Sequence, residues 1–374
     1  MIYLDSAATS LLKPKSVSRA VARAIDTMAS PGRGAHRAAM LAADTVFDCR
    51  SAVAELFDVP EPEQVVFTLN ATHALNIAIR SLASRGSRVT VSGYEHNSVM
   101  RVLYDLGCDV SVAESPLFDE DAAVTAFRRL IPQSDLVICN HVSNVFGFIL
   151  PIKRISEICA EYGVPLIIDA SQSAGITKIS FTELGAQYIA MPGHKGLLGP
   201  QGTGVLLCGD VGRPLLCGGT GSDSINEKMP DYLPDRLEAG THNVAGIAGL
   251  REGIRYIKSM GEERIGGYET MLCGIMADRL SEVEGLTVYR SNRSQAGVLS
   301  VRHERIDPEA LCGMLGEHGI AARCGLHCAP LAHRTVGTLD TGTLRLSFSP
   351  FLSKANVIEA ANTIARLINS KIHQ

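Results

Sequence analysis

No apolar run in this 374-residue chain approaches the roughly 18 residues that would suggest a membrane span. Asp5 arrives before a signal-peptide apolar region could form, so a cytoplasmic location is expected. No CxxC pair occurs among the 10 cysteines, which argues against structural zinc or any metal centre. Their scatter, without short disulfide spacing, reads as reduced thiols in a reducing compartment. An excess of positive charge is missing too. The formal net charge is −4, which offers no broad attraction for nucleic acid or an anionic membrane. Tryptophan is absent, and that absence excludes no function. Phosphate-loop spacing is also lacking, because Gly193-His194-Lys195-Gly196 does not fit Gly, four residues, then Gly-Lys-Ser/Thr. Gly199-x-x-Gly202-x-Gly204 precedes a strand rather than a helix, so it is no dinucleotide fingerprint.

What is present is ordinary soluble-enzyme material, 46% hydrophobic and 20% charged. Runs rich in Val, Ile and Leu predict strands at Gln64–Thr68, Arg88–Ser92, Asp109–Ala113, Leu136–Asn140, Leu166–Asp169, Tyr188–Met191 and Thr203–Cys208. Segments with apolar spacing near 3.6, such as Ala71–Leu82 and Pro151–Tyr162, lie between several of them. Strands without polar alternation are buried on both faces, so the fold class is α/β with a mainly parallel seven-stranded sheet flanked by helices. The stretch from Gly209 to about Thr241 is dense in Gly, Pro and Asp and reads as an irregular connection. Helices near Val244–Ser259, Glu262–Glu284 and Pro308–Glu317 follow. They are interleaved with strands near Leu286–Tyr289, Gly297–Arg302 and Thr343–Phe348, which suits a smaller α+β domain. The expected boundaries are 14–243 for the large domain, and 1–13 with 244–374 for the small one.

Ligands of open α/β sheets sit at the carboxyl ends of the strands, so the polar residues just past each strand matter most. They are Asn70-Ala71-Thr72, Glu95-His96, Asn144, Asp169 with Gln172, and His194-Lys195. Lys195 is either a solvated surface cation or an amine whose pKa is depressed in a partly dry site, ready to form a Schiff base. Asp169 is either a helix N-cap or the acidic partner of a protonated ring nitrogen. His96 is either a hydrogen-bonded loop residue or a flat ring stacked on an aromatic cofactor. Asn70-Ala71-Thr72 opens a helix, which makes either an ordinary cap or a phosphate seat. Arg345, in a strand among apolar neighbours, either joins an ion pair or waits for a substrate carboxylate. Cys328 is bracketed by Gly325 and Pro330, hence in a loop, with His327 and Arg323 near enough in sequence to lower its pKa.

Taken together these motifs resemble the cysteine desulfurase and selenocysteine lyase family, within the class V group of fold-type I pyridoxal-phosphate enzymes. The resemblance runs from Tyr3-Leu4-Asp5-Ser6-Ala7-Ala8-Thr9 through Phe67-Thr68-Leu69-Asn70-Ala71-Thr72 and Glu95-His96. It continues through His141-Val142-Ser143-Asn144, Asp169-Ala170-Ser171-Gln172 and Gly193-His194-Lys195, and ends with Glu238-Ala239-Gly240-Thr241, His327-Cys328-Ala329 and Leu344-Arg345. It implies pyridoxal 5'-phosphate bound covalently by Lys195, with Asp169 on the pyridine nitrogen and His96 stacked on the ring. Asn144 and Gln172 would bond the ring's phenolic oxygen, while Ala71, Thr72 and His194 would cradle the phosphate. Thr241 would complete that cradle from the second subunit of a homodimer. Arg345 would bind the substrate carboxylate with Arg323 close by, and Cys328 would accept sulfur.

The reaction implied is conversion of L-cysteine to alanine, leaving a persulfide that a thiol or a sulfur-acceptor protein discharges. Selenocysteine lyase, cysteine sulfinate desulfinase and class V aminotransferase are the neighbouring activities, and a non-enzymatic sulfur carrier is the reading from another class. Three departures from the family pattern stand out: Pro192 where serine is common, His242 where proline is common, and the extra thiol of Cys324.

Overall fold

The computed structural model describes residues 1–32 and 34–372. Its strands are β1 (Ile2–Tyr3), β2 (Val65–Thr68), β3 (Arg88–Ser92), β4 (Asp109–Ala113), β5 (Leu136–Asn140), β6 (Leu166–Asp169), β7 (Tyr188–Pro192) and β8 (Gly204–Cys208). They continue as β9 (Leu286–Tyr289), β10 (Val298–His303), β11 (Ile320–Ala321), β12 (Arg323–Gly325) and β13 (Thr343–Ser347).

A seven-stranded sheet runs in the order β2-β8-β7-β6-β5-β3-β4. Neighbours from β7 through β6, β5 and β3 to β4 are parallel, and β8 alone opposes both strands beside it. The α/β class and the mainly parallel sheet therefore hold. Val, Ile and Leu dominate the central strands, and Ile138, Ile167 and Ile189 are fully buried. Each such side chain contributes roughly 1.5–3 kcal/mol on leaving water. One core cluster (Phe57, Val137, Ile168, Ile189) covers one face, and another (Leu75, Val91, Ile138, Ile167) covers the other.

Edges behave differently from the sequence expectation. β4 alternates exposed and half-buried residues because it pairs only with β3, so its outer edge meets solvent. β2 begins one residue late, since Pro62–Gln64 form a short 3-10 turn ahead of it.

The C-terminal part forms a four-stranded antiparallel sheet, β12-β13-β10-β9, while β1 pairs in parallel with β11 as a separate ribbon. A third core cluster lies there, including Leu272, Leu299, Leu346 and Ile364 together with Leu4 from the N-terminal segment. The short strands β11 and β12 and the helix Pro330–Val336 lie where the sequence pattern suggested only loop. Residues 209–241 carry no helix or strand, in keeping with their Gly, Pro and Asp content. Among the described residues, no helix is long and apolar enough to cross a membrane.

Candidate active site

The carboxyl ends of β2, β3, β5, β6 and β7 surround a concavity of about 540 Å³ lined by Ala71, Thr72, His96, Asn144, Asp169, Gln172, His194 and Lys195, among others. These are the positions singled out from the strand ends, and the fold brings them to one place. Asn70 caps the helix Ala71–Leu82 by accepting from the His73 N–H at 2.9 Å. His96 caps the helix Asn97–Leu106, its Nδ1 accepting from the Ser98 N–H at 3.0 Å. Two helix N-termini thus converge, and the Thr72 and Ser98 hydroxyls meet at 2.9 Å. Free N–H groups and the helix dipoles make this corner favourable for an anion. Ser98 was invisible to strand-end logic, because it lies one residue inside a helix whose cap drew the attention.

Asp169 ends β6, buried, and its Oδ1 accepts from the Ser171 N–H at 2.9 Å. It therefore does take a local turn bond, and it lines the concavity as well. Lys195 follows β7 on a turn whose glycines are required by the protein's own packing. A Cβ at Gly193 would run into the Thr203 side chain, and one at Gly196 into the Ala174 carbonyl. Burial is the largest cause lowering the Lys195 pKa, to about 8, against the opposing pull of Asp169. Arg345 lowers it further, and Cys328 raises it, which places Asp169, Arg345 and Cys328 each within electrostatic reach of Lys195.

His194 is neutral at pH 7, since burial and the neighbouring Lys195 drop its pKa to about 4. Burial also lowers the pKa of His96. Beneath His96, Glu95 is fully buried and its pKa rises to about 8, chiefly through desolvation. It is uncharged at neutral pH and tied to Ser92 and Asn140.

The N-terminal segment passes through the site, a part the motif reading quoted without giving it a task. Gln172 donates Nε2 to the Ala7 carbonyl at 3.0 Å. Thr9 Oγ1 lies 3.1 Å from His194 Nδ1, and Ser10 donates its N–H to the His194 carbonyl at 3.0 Å. Asp5 reaches both Arg345 and Arg323. No residue-level signal could have found this, because the partners lie more than 160 residues apart.

Arg345 sits in β13, buried, donating Nη1 to the Asn144 carbonyl and Nη2 to Asp5, both at 3.0 Å. The ion-pair reading is therefore present, and its Nε is left without a partner. Cys328 is exposed, between β12 and the helix Pro330–Val336. It and His327 have φ of 57° and 50°, so two consecutive L-residues occupy the left-handed region. Two bonds fasten that loop beside the concavity: Asn144, which lines it, donates Nδ2 to the His327 carbonyl at 2.8 Å, and the Asn97 N–H donates to the Cys328 carbonyl at 2.8 Å.

One expectation needs correction. His327 does not supply a positive charge to Cys328. Burial and Arg345 lower its pKa to about 3, and its Nε2 turns to the Thr343 carbonyl at 3.1 Å. Arg323 and Lys195 are the cations in electrostatic reach of Cys328.

Thr241 does not join this group within one chain. It is exposed and lines a separate concavity with Glu238 and His242. Buried Glu238 pairs with Arg50 through two bonds of 2.9 and 2.8 Å, and His242 adds a second partner to the same carboxylate. His242 thus helps to hold the turn that carries Thr241.

The residues fit pyridoxal phosphate on independent grounds. An amine of lowered pKa, a buried carboxylate and an anion seat built on two helix N-termini surround one concavity, and Asn144 Oδ1 there is buried without a partner. Among the described residues, no cluster of three or more side chains could hold a metal ion.

The sequence profile of the aminotransferase class-V family matches residues 2–359. A probable cysteine desulfurase of Methanothermobacter thermautotrophicus is 33% identical over 92% of this chain and 89% of its own. One from Pyrococcus abyssi is 31% identical over 99% and 95%. The apo structure of cysteine desulfurase from Thermococcus onnurineus superimposes with a TM-score of 0.91, 30% identity, and coverage of 99% and 95%.

Proposed function

The chain belongs to the aminotransferase class-V family, and from that premise we propose that it is a pyridoxal-phosphate-dependent cysteine desulfurase. It converts L-cysteine to L-alanine and moves the sulfur onto Cys328. The observation that carries this reading is the fastening of an exposed cysteine, through Asn144 and Asn97, beside a concavity lined by Lys195 and Asp169 and within electrostatic reach of that lysine. An aminotransferase needs the lysine and the aspartate but no such thiol.

When bound, the cofactor supplies an electrophilic carbon for amino groups and a ring that draws electrons from the substrate Cα. Ala71, Thr72, Ser98 and His194 would hold its phosphate, Asp169 would keep a proton on its ring nitrogen, and His96 would stack on its ring. Arg345 takes the substrate carboxylate on its remaining N–H donors, with Arg323 beside the substrate. Lys195 Nζ, neutral in a larger fraction than an ordinary lysine, accepts the Cα proton. The Cys328 thiolate attacks the substrate sulfur. A new S–S bond forms as the substrate C–S bond breaks, and the electron pair of the latter stays on carbon and is protonated. Lys195 Nζ returns a proton to Cα, alanine leaves, and a persulfide remains on Cys328 until an external thiol or an acceptor protein removes its outer sulfur.

The active species is a homodimer in which Thr241 of one copy completes the phosphate seat of the other. All ten cysteines are free, which suits the reducing cytoplasm. The test is product analysis of the holoenzyme with excess thiol. Wild type releases alanine and sulfide from cysteine in equal amounts. Cys328→Ala keeps the cofactor's absorbance near the visible edge and loses sulfide release by at least about 100-fold, the scale of removing a nucleophile. Undiminished sulfide release from that variant overturns the reading, and a keto-acid product favours an aminotransferase.

A further inference from the structure

Asp5 is one carboxylate held between two guanidinium groups. Its Oδ1 meets Arg345 Nη2 at 3.0 Å, and its Oδ2 meets Arg323 Nη2 at 2.9 Å. Arg323 Nε lies 3.2 Å from Oδ1 and 3.1 Å from Oδ2. The two arginines are register partners across β12 and β13, so the strands themselves fix this spacing. Asp5 is 8% exposed and Arg345 2%, whereas the Arg323 side chain is 53% exposed. Two cations and one anion leave a single positive charge, enough to balance one substrate carboxylate.

Chemistry at the other end of the substrate takes place at Cys328. With His327 neutral, Arg323 and Lys195 are the cations in electrostatic reach of that thiol, and Asp5 already neutralises Arg323. We propose that Asp5 is a specificity-determining residue, which limits the site to amino acids with one fixed anion and turns away those with a second anionic group, such as a sulfinate, on the side chain. This deepens the desulfurase reading and rests on it. The preference comes from charge, so a shape-preserving change at Asp5 moves the ratio between substrates rather than both rates alike.

The experiment compares wild type, Asp5→Asn and Arg323→Gln as holoenzymes. It measures kcat/KM for L-cysteine and for L-cysteine sulfinate. Alongside, calorimetry measures the binding of 3-mercaptopropionate and succinate, which lack the amino group that would condense with the cofactor. In Asp5→Asn the sulfinate-to-cysteine ratio rises roughly tenfold, the size of one unit-charge interaction a few ångströms away where water screens it, as it does around the exposed Arg323 side chain. The succinate-to-mercaptopropionate affinity ratio rises with it. In Arg323→Gln both ratios fall, because Asp5 is then balanced by Arg345 alone. Equal losses for both substrates in Asp5→Asn, or ratios that do not move in opposite directions between the two variants, overturn the proposal. If Asp5→Asn does not fold, a fall of both ratios in Arg323→Gln supports the proposal and unchanged ratios overturn it. Should wild type form no alanine from cysteine, the desulfurase reading fails, while the two binding ratios still judge Asp5.

Discussion

A lysine amine forms a Schiff base only when it is unprotonated, and at Lys195 desolvation rather than a neighbouring cation does most to bring the pKa to about 8. Asp169 pulls the other way, so removing it lowers that value further. The sign of the pH dependence follows. Below about pH 8 the neutral fraction of Lys195 grows about tenfold for each pH unit, and above it the fraction levels off. Capture of pyridoxal phosphate by cofactor-free protein, followed by absorbance, therefore accelerates from pH 6 to 8 and then reaches a plateau. Asp169→Asn shifts the rise to lower pH, whereas a rise that stays near the ordinary lysine value of about 10.4 would refute the buried-amine account. Histidine follows the opposite logic here. His96, His194 and His327 all have lowered pKa values with burial as the largest cause, so they act as uncharged hydrogen-bonding rings at neutral pH. Nearness of His327 to Cys328 in sequence gave no hint of this, since burial and the Thr343 carbonyl are tertiary facts.

At the scale of elements, the Cys328 loop is shaped from outside itself. Gly342, with φ of +65°, lies so close to Gly325 that a Cβ would be 2.7 Å from its backbone. Gly342→Ala forces an L-residue into the left-handed region and also pushes β12 from below. The expected cost is about 2 kcal/mol, read as a lower thermal midpoint. Sulfide release falls more than cofactor capture, since Lys195 and the phosphate seat lie on the other sheet; equal losses would place the damage elsewhere. The central strands were readable because Val, Ile and Leu runs in β5 and β6 and the β-branched Val-Thr-Val of β3 leave them no other stable place than a covered sheet, and all three match residue for residue. β11 and β12 were not readable. They are two and three residues long, and Arg323-Cys324-Gly325 has no apolar run, so only their pairing with β1 and β13 makes them strands. Likewise the strand-end residues were found because chain direction fixes where they emerge. Asp5, Thr9 and Ser10 were given no task because their partners are set by packing across the whole chain.

The whole molecule poses one question that a single chain cannot answer by itself. Thr241 is exposed, yet the turn behind it is anchored by a buried network: Glu238 bonds Arg50, His242 and the Phe67 N–H. An exposed loop gains little from so firm a base unless it must present a side chain to something outside. A second copy of the chain, offering its own phosphate seat, is the occupant that the homodimer reading supplies. Thr241→Ala then weakens pyridoxal phosphate binding by roughly 10- to 100-fold, the value of one hydrogen bond to a charged group. Subunit mixing separates this from local damage. Lys195→Ala and Thr241→Ala are each impaired alone, but a dimer with one of each contains one site that has Lys195 from one copy and Thr241 from the other. After denaturation and refolding together in equal amounts, with limiting cofactor, activity returns to roughly a quarter of wild type, since half the dimers are mixed and half their sites are complete. No recovery, with both variants folded and dimeric, would place Thr241 in service of its own chain or of none.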